Sequence, residues 1–173
     1  MQFSTVLATF FSVAMAAPLN ETHVWYISDL TIKHQTGLPS LVAFDLTDGF
    51  AGTADPISCQ ASSSDNINTT IIADVSQASC GDDTWQFDYT SLENEVPNEI
   101  PLGGHLVIRQ TISSQNITPK LDLFGVGQES KTFEAVVDFH QDDFKRTVRT
   151  KHWSALTRYT GPKEFTVTAE KAT

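Results

Sequence analysis

The chain has 173 residues, of which 40% are hydrophobic, and its 21 acidic and 11 basic side chains give a formal net charge of −10. This length is enough for one domain with a sizeable core. Nucleic acid is excluded as an expected partner, because phosphate contacts need a dense basic face that this composition does not supply.

The N-terminus has the pattern of a secretory signal peptide. Val6–Val13 is mostly apolar, and Ala14–Ala16 is a small-x-small cleavage signal. The apolar run is too short to span a bilayer and no second run follows, so no membrane anchor is expected. We predict that residues 1–16 are cleaved and that residues 17–173 form one secreted domain. The alternative is a hydrophobic N-terminal tail, since no Lys or Arg precedes the apolar run.

The remaining sequence consists of short segments with strand patterns. Aromatic residues occupy every second position in Thr84–Tyr89, and apolar residues alternate in the same way in His105–Ile112 and Lys131–His140, as in strands with one buried face. Further β-rich segments are Val24–Ile32, Leu41–Leu46, Thr70–Val75, Trp153–Tyr159 and Glu164–Ala169. No segment after the signal pattern shows a helical apolar repeat over three turns. The sequence therefore predicts an all-β fold, a single antiparallel β-barrel or sandwich.

Both cysteines of the chain, Cys59 and Cys80, flank a polar segment. In an oxidising compartment such a pair favours a disulfide. A zinc site would need more thiol or imidazole ligands than lie near them, and Asp82 and Asp83 would oppose a catalytic thiolate. We predict the disulfide Cys59–Cys80, which would staple the strands on either side of a surface loop at Ser62–Asn68.

Three N-x-[ST] triplets are candidate glycosylation sites, at Asn20, Asn68 and Asn116. Asn68 is the strongest, because it lies in the predicted loop, where a glycan would meet no core. Asn20 lies near the predicted mature N-terminus. Asn116 is the weakest, because Pro119 follows its triplet.

No catalytic constellation stands out. The G-x-S-x-G motif of nucleophile-elbow hydrolases is absent, and many acidic residues without a motif do not indicate a glycosidase pair. Asp138, His140 and Asp142 would share one face of an extended strand, as in a metal site. However, this is the solvent face of a strand, where polar residues are the default. We predict no catalytic residue, no metal ligand and no cofactor.

The three tryptophans raise the question of an aromatic binding platform. Trp25, Trp85 and Trp153 would suit a sugar or flavonoid ligand, since aromatic rings supply broad apolar contact area. Trp85 continues an alternating aromatic face, which favours a place in the core. Trp25 and Trp153 fit core and surface equally, and no ligand-binding residue is assigned.

The charge divides the chain into two parts. Between Ala17 and Ile100, thirteen acidic residues accompany one base, Lys33, whereas eight acids and ten bases follow from Pro101 onward. Five of those bases are Lys145, Arg146, Arg149, Lys151 and Arg158. They are either ordinary solvated charges or, if the first three face one way, a patch that meets an acidic partner.

Two stretches resemble the fungal Alternaria major-allergen-like family. They are HVWYISDLTIKHQTGLPSLVAFDL (His23–Leu46), and ISCQA with the later SCGDDTWQFDY. The resemblance covers roughly residues 23–112. It implies a secreted β-barrel without known catalytic residues, from a family of allergens, defence elicitors and binders of plant defence proteins for which small phenolic ligands have been proposed.

Cysteine usage both matches this family and departs from it. Cys59 and Cys80 match the first disulfide pair of the family. The second pair has no counterpart after Cys80, and no free cysteine lies near the predicted mature N-terminus. A covalent dimer, with a ligand site at its interface, is therefore not expected.

The sequence thus predicts a non-enzymatic secreted fungal protein, allergen-like or elicitor-like, that binds extracellular plant host proteins or small phenolic ligands. A carbohydrate-binding or carbohydrate-active β-sandwich is the alternative. Closure of the barrel and the location of the tryptophans distinguish the two.

Overall fold

The computed structural model describes residues 22–52, 54–65, 67–68, 71–81, 83–92, 103–113, 130–149 and 154–172. These residues form ten β-strands: β1 (Thr22–Gln35), β2 (Ser40–Asp48), β3 (Ile57–Ser63), β4 (Val75–Cys80), β5 (Trp85–Leu92), β6 (Gly103–Ser113), β7 (Ser130–His140), β8 (Phe144–Arg149), β9 (Ser154–Tyr159) and β10 (Phe165–Lys171). One 3-10 turn, Gln141–Asp143, joins β7 to β8, and the described part of the chain contains no α-helix. Accordingly, it contains no helix that could cross a membrane. The all-β prediction is confirmed.

Eight strands close into an antiparallel barrel. Going round it, β1 is followed by β2, β3, β4, β5, β6, β7 and β10, and β10 pairs with β1 again. Of the two architectures that the sequence predicts, a barrel and a sandwich, the structure is the barrel. Closure matters because it removes the exposed strand edges that an open sheet would present.

Strand β1 changes partner along its length. Its first part, Thr22–Ile27, pairs with β10, whereas its last residues, Lys33–Gln35, pair with β9. The register shifts between Ser28 and Thr31, where Asp29 has a positive φ of 53°. Strands β9 and β8 therefore extend from β1 as a flap outside the closed ring, with β8 outermost.

The pairings between neighbouring strands, here called the joints of the barrel, differ in length. Strands β6 and β7 pair along their whole length, from Gly103 opposite His140 to Ser113 opposite Ser130. In contrast, Cys59 opposite Cys80 is the one register pair that joins β3 to β4 within the described residues. That joint is the narrowest of the closed ring.

Large side chains fill the interior. Trp25, Phe87 and Tyr89 have no exposed surface, and Trp85 is 2% exposed. The rings of Trp25 and Trp85 meet edge to face at 4.9 Å between centroids, a favoured aromatic geometry. The core prediction for Trp85 is confirmed, and Trp25 proves to be core as well. Trp153 lies outside the described residues.

Two local predictions need correction. The segment predicted as a strand at Thr70–Val75 is irregular through Asp74 in its described part, and β4 begins only at Val75. Ile72 and Ala73 are buried there without strand pairing, because the Ala73 amide donates to Ser40 Oγ at 2.8 Å instead. The predicted loop at Ser62–Asn68 begins later than expected, since β3 continues to Ser63.

Candidate binding surface

The predicted disulfide is present. Cys59 on β3 and Cys80 on β4 are bonded, with both residues fully buried. Asn68, the strongest glycosylation candidate, is exposed in the turn after β3. Its glycosylation stays a prediction, as do those of Asn20 and Asn116, which lie outside the described residues together with the signal pattern at 1–16.

Three basic side chains form a row from barrel strand β1 across the two strands of the flap. Lys33 on β1 lies directly opposite Arg158 on β9, and Arg158 lies directly opposite Lys145 on β8. All three are exposed. Neighbouring strands are about 4.8 Å apart, so like charges in register crowd one another and destabilise the sheet. We refer to Lys33, Arg158 and Lys145 as the cationic row.

Strand alternation explains why these three side chains share one face. His34 and Ile32 flank Lys33 and are both buried, and the His34 Nδ1 lies 3.0 Å from Ser40 Oγ. Thr157 and Tyr159 likewise point inward on either side of Arg158. Since successive residues of a strand face opposite ways, the bases between these inward residues must face solvent.

No acidic side chain among the described residues forms a salt bridge with the cationic row. The salt bridges found there join His105 to Asp138 and Arg109 to Asp88 and Glu134, all on other strands. The row therefore carries three exposed positive charges on a chain whose formal net charge is −10.

A groove lies beside the row, at the point where β1 leaves β10 for β9. It has a volume of about 420 Å³ and is lined by Leu30, Thr31, Ile32, Lys33, Arg158, Tyr159, Thr160 and Lys163. The Leu30 amide donates to the carbonyl oxygen of Lys163 at 3.3 Å, which holds the two sides together. Lys163 thus adds a third base to the groove, next to Lys33 and Arg158.

Only part of the predicted basic patch faces one way. Lys145 belongs to the cationic row, but Arg146 follows it directly on β8 and so points to the other face. The Arg146 Nε is buried, and no described residue forms a hydrogen bond with it. Lys151 and the side chain of Arg149 lie outside the described residues. The run of bases in the sequence did not indicate that Lys33 and Lys163 also lie beside Arg158. Strand pairing places Lys33 there, and the turn after β9 places Lys163 there.

Tyr159 is the aromatic residue that lines the groove. Its hydroxyl donates to the carbonyl oxygen of Pro162 at 2.9 Å, and its ring packs edge to face against Phe139 and Phe144. A Cβ at Gly161 would lie 2.5 Å from that hydroxyl, so glycine is needed there for the close approach.

Tyr159 also supplies a pH-dependent contribution to stability. Burial, with an additional effect of the Asp143 carboxylate, raises the pKa of its phenol to about 12, against about 10 in an unfolded chain. The folded state holds this proton more tightly, so the stabilisation is complete below about pH 10 and is lost as the pH rises toward 12. Urea unfolding across this window should show falling stability, with a shallower slope in Tyr159→Phe. Equal slopes in the two proteins would contradict this.

A second polar cluster, on β5, β6 and β7, is fully paired. Arg109 donates from Nε to Glu134 Oε2 at 2.7 Å and from a terminal nitrogen to Asp88 Oδ2. The hydrogen bond to Asp88, helped by that to Glu134, raises the pKa of the Arg109 guanidinium above its ordinary value. This base therefore connects three strands, whereas the cationic row has no such acidic partner among the described residues.

The predicted outward position of Asp138 is confirmed, and the structure gives it a histidine partner. His105 Nδ1 lies 2.5 Å from Asp138 Oδ1, and His140 and Asp142 are exposed nearby along the chain. The described residues contain no group of three side chains placed to hold a metal ion.

A carboxylate-oriented imidazole is a common general-base arrangement. However, the side chains of His105 and Asp138 are 42% and 63% exposed. Thr90 lies opposite His105 on β5, but no described hydrogen bond joins the two. The pair therefore lies on the solvent-facing side of β6 and β7.

Comparison with solved structures finds the crystal structure of the Alternaria alternata allergen Alt a 1. The match covers 90% of this chain and 95% of that one, with 10% sequence identity and a TM-score of 0.46. The similarity to Alt a 1 is one of overall fold alone. No family model and no curated protein matches the sequence.

Proposed function

We propose that this chain is a secreted, non-enzymatic protein that binds an acidic surface of an extracellular host protein through the cationic row. The observation that carries this proposal is the register of Lys33, Arg158 and Lys145, three like charges directly opposite one another, none of which forms an ion pair with a described residue. Folding alone favours opposite charges at such positions. A partner that supplies the missing acids would remove the repulsion and gain binding energy from it.

Two features support an extracellular protein that acts through its surface. The signal pattern at the N-terminus and the disulfide both suit an oxidising, secretory route. The barrel interior is occupied by its own side chains, with Trp25, Phe87 and Tyr89 fully buried. A small ligand, such as a phenolic compound, would therefore bind in an outer groove.

Burial of Trp25 and Trp85 also weakens the carbohydrate alternative, because neither ring can serve as a platform for a sugar.

The cationic row favours recognition of an acidic partner at short range. Opposite charges across an interface mainly raise the association rate and fix orientation. At physiological salt, interactions between exposed charges are largely screened beyond about 8 Å. A partner close to the row therefore feels the three bases more strongly than the negative charges elsewhere on the chain. Binding should therefore weaken as salt rises.

Arg158→Glu tests the proposal because it separates binding from folding. The new carboxylate would lie opposite Lys33 and Lys145, and each opposite-charge pair contributes about 0.2–1 kcal/mol. We therefore expect Arg158→Glu to be at least as stable as the native chain and yet to bind at least about tenfold more weakly. The measurements are urea unfolding and binding to plant extracellular proteins separated into acidic and basic fractions.

The matched control is Lys171→Glu, an equal charge change at an exposed position of β10 outside the row. It should retain binding to the acidic fraction, and the difference between the two variants should shrink at high salt. Equal binding by both variants would reject the cationic row as the binding surface. Loss of stability in Arg158→Glu would contradict the charge repulsion on which the proposal depends.

A further inference from the structure

The outermost strand of the flap has one edge that no described strand covers. Strand β8 pairs with β9 on one side, and no described strand pairs with its other side. Every other described strand has at least two neighbours. The edge of β8 therefore presents backbone N–H and C=O groups that an added strand could pair with.

The cationic row runs up to this edge. Its members lie on β1, β9 and β8 in succession, so a strand beyond β8 would place one residue directly opposite Lys145. Directly opposite side chains in a sheet have Cβ atoms about 5 Å apart, which suits a carboxylate facing an ammonium group. An acidic residue at that position would give the row its missing counter-charge.

The side chains on the other face of β8 also determine which residues a partner strand should carry. Arg146 lies there, and its buried Nε has no hydrogen-bond partner among the described residues. Val148 follows on the same face and is 57% exposed. A partner strand with consecutive acids would meet Lys145 on one face and Arg146 on the other, and an apolar residue further along would cover Val148.

We propose that β8 receives an extended acidic segment of the partner as an additional strand. This rests on the proposed function and states how the acidic partner is held. A second copy of this chain is a poor occupant, because three of the six residues of β8, Lys145, Arg146 and Arg149, are basic. Two such strands side by side would bring like charges together, which is how natural edge strands avoid self-pairing.

The experiment uses the mature chain and three short peptides, each acetylated and amidated and built from Thr, Glu and Val. The first contains adjacent Glu residues followed by Val. The second replaces Glu by Gln, and the third keeps all side chains but carries N-methyl groups on alternate amides. Calorimetric titration at low salt should show binding of the first peptide. The other two should bind at least about tenfold more weakly, because one lacks the charges and the other cannot complete the ladder.

Two further measurements locate the site. The first peptide should slow hydrogen exchange of β8 amides, and Lys145→Glu should weaken its binding while Lys171→Glu does not. If the N-methylated peptide binds as well as the first peptide, the row holds any acidic chain and strand addition is wrong, although the proposed function stands. Absence of binding by all three peptides also overturns strand addition. So does tight binding of polygalacturonate that the first peptide cannot displace, which would make an acidic polysaccharide the partner.

Discussion

Replacing Phe87 by Ala should lower the free energy of unfolding by about 3–5 kcal/mol, the usual cost of removing a buried phenylalanine ring. Phe87 has no exposed surface and lies in the middle of β5. Its ring meets that of Phe44 on β2 edge to face, with 5.1 Å between centroids. The substitution therefore removes a contact across the barrel and leaves a cavity that the closed ring of strands cannot easily collapse.

The matched control for this variant is Val136→Ala on β7. Val136 is 53% exposed, and surface substitutions of this kind usually change stability by less than about 0.5 kcal/mol. Chemical unfolding of the two variants beside the native chain measures the difference. Similar small losses in both would mean that the barrel interior is not packed as described.

The place of Phe87 was predictable from sequence, because strict alternation in Thr84–Tyr89 identifies the buried face. The same holds for β6 and β7, where long alternating segments fix both the strand and its inward side. Strands β3, β4 and β8 escaped prediction. The first two are short and rich in small polar residues, so their burial pattern is weak, and β8 interrupts its apolar residues with bases.

The candidate site was less predictable than the fold. A run of bases along the chain suggested a patch, but in a strand adjacent residues face opposite ways, and Lys145 and Arg146 are separated for that reason. The cationic row draws its members from β1, β8 and β9. Its existence depends on which strands pair and in which register, and that is set by the packing of the whole barrel. The partner of Asp138 depended in the same way on the β6–β7 register.

Fold and proposed function therefore rest on different residues. The core side chains hold the barrel closed, while the cationic row lies on the outer face of β1 and of the two flap strands and adds repulsion. Binding variants should accordingly leave stability unchanged or improve it, whereas core variants should lose stability first and binding only when the chain unfolds.

Replacing both cysteines by Ala should lower the free energy of unfolding by about 3 kcal/mol from chain entropy alone, for a pair of residues 21 positions apart. The structure gives a reason to expect a loss of stability at least this large. Cys59 opposite Cys80 is the one register pair between β3 and β4 in the described part of the chain. The same bond therefore restricts the unfolded chain and closes the narrowest joint of the barrel.

Hydrogen exchange distinguishes these two roles of the disulfide. If the bond acted only on the unfolded chain, all strands of Cys59→Ala/Cys80→Ala would lose protection together, because global unfolding would govern them all. If it also closes the joint, amides of β3 and β4 should exchange faster than those of β6 and β7, which pair along their whole length. Binding through the cationic row should survive below the new unfolding temperature, since none of its residues lies on β3 or β4. Uniform loss of protection would show that the joint holds without the bond.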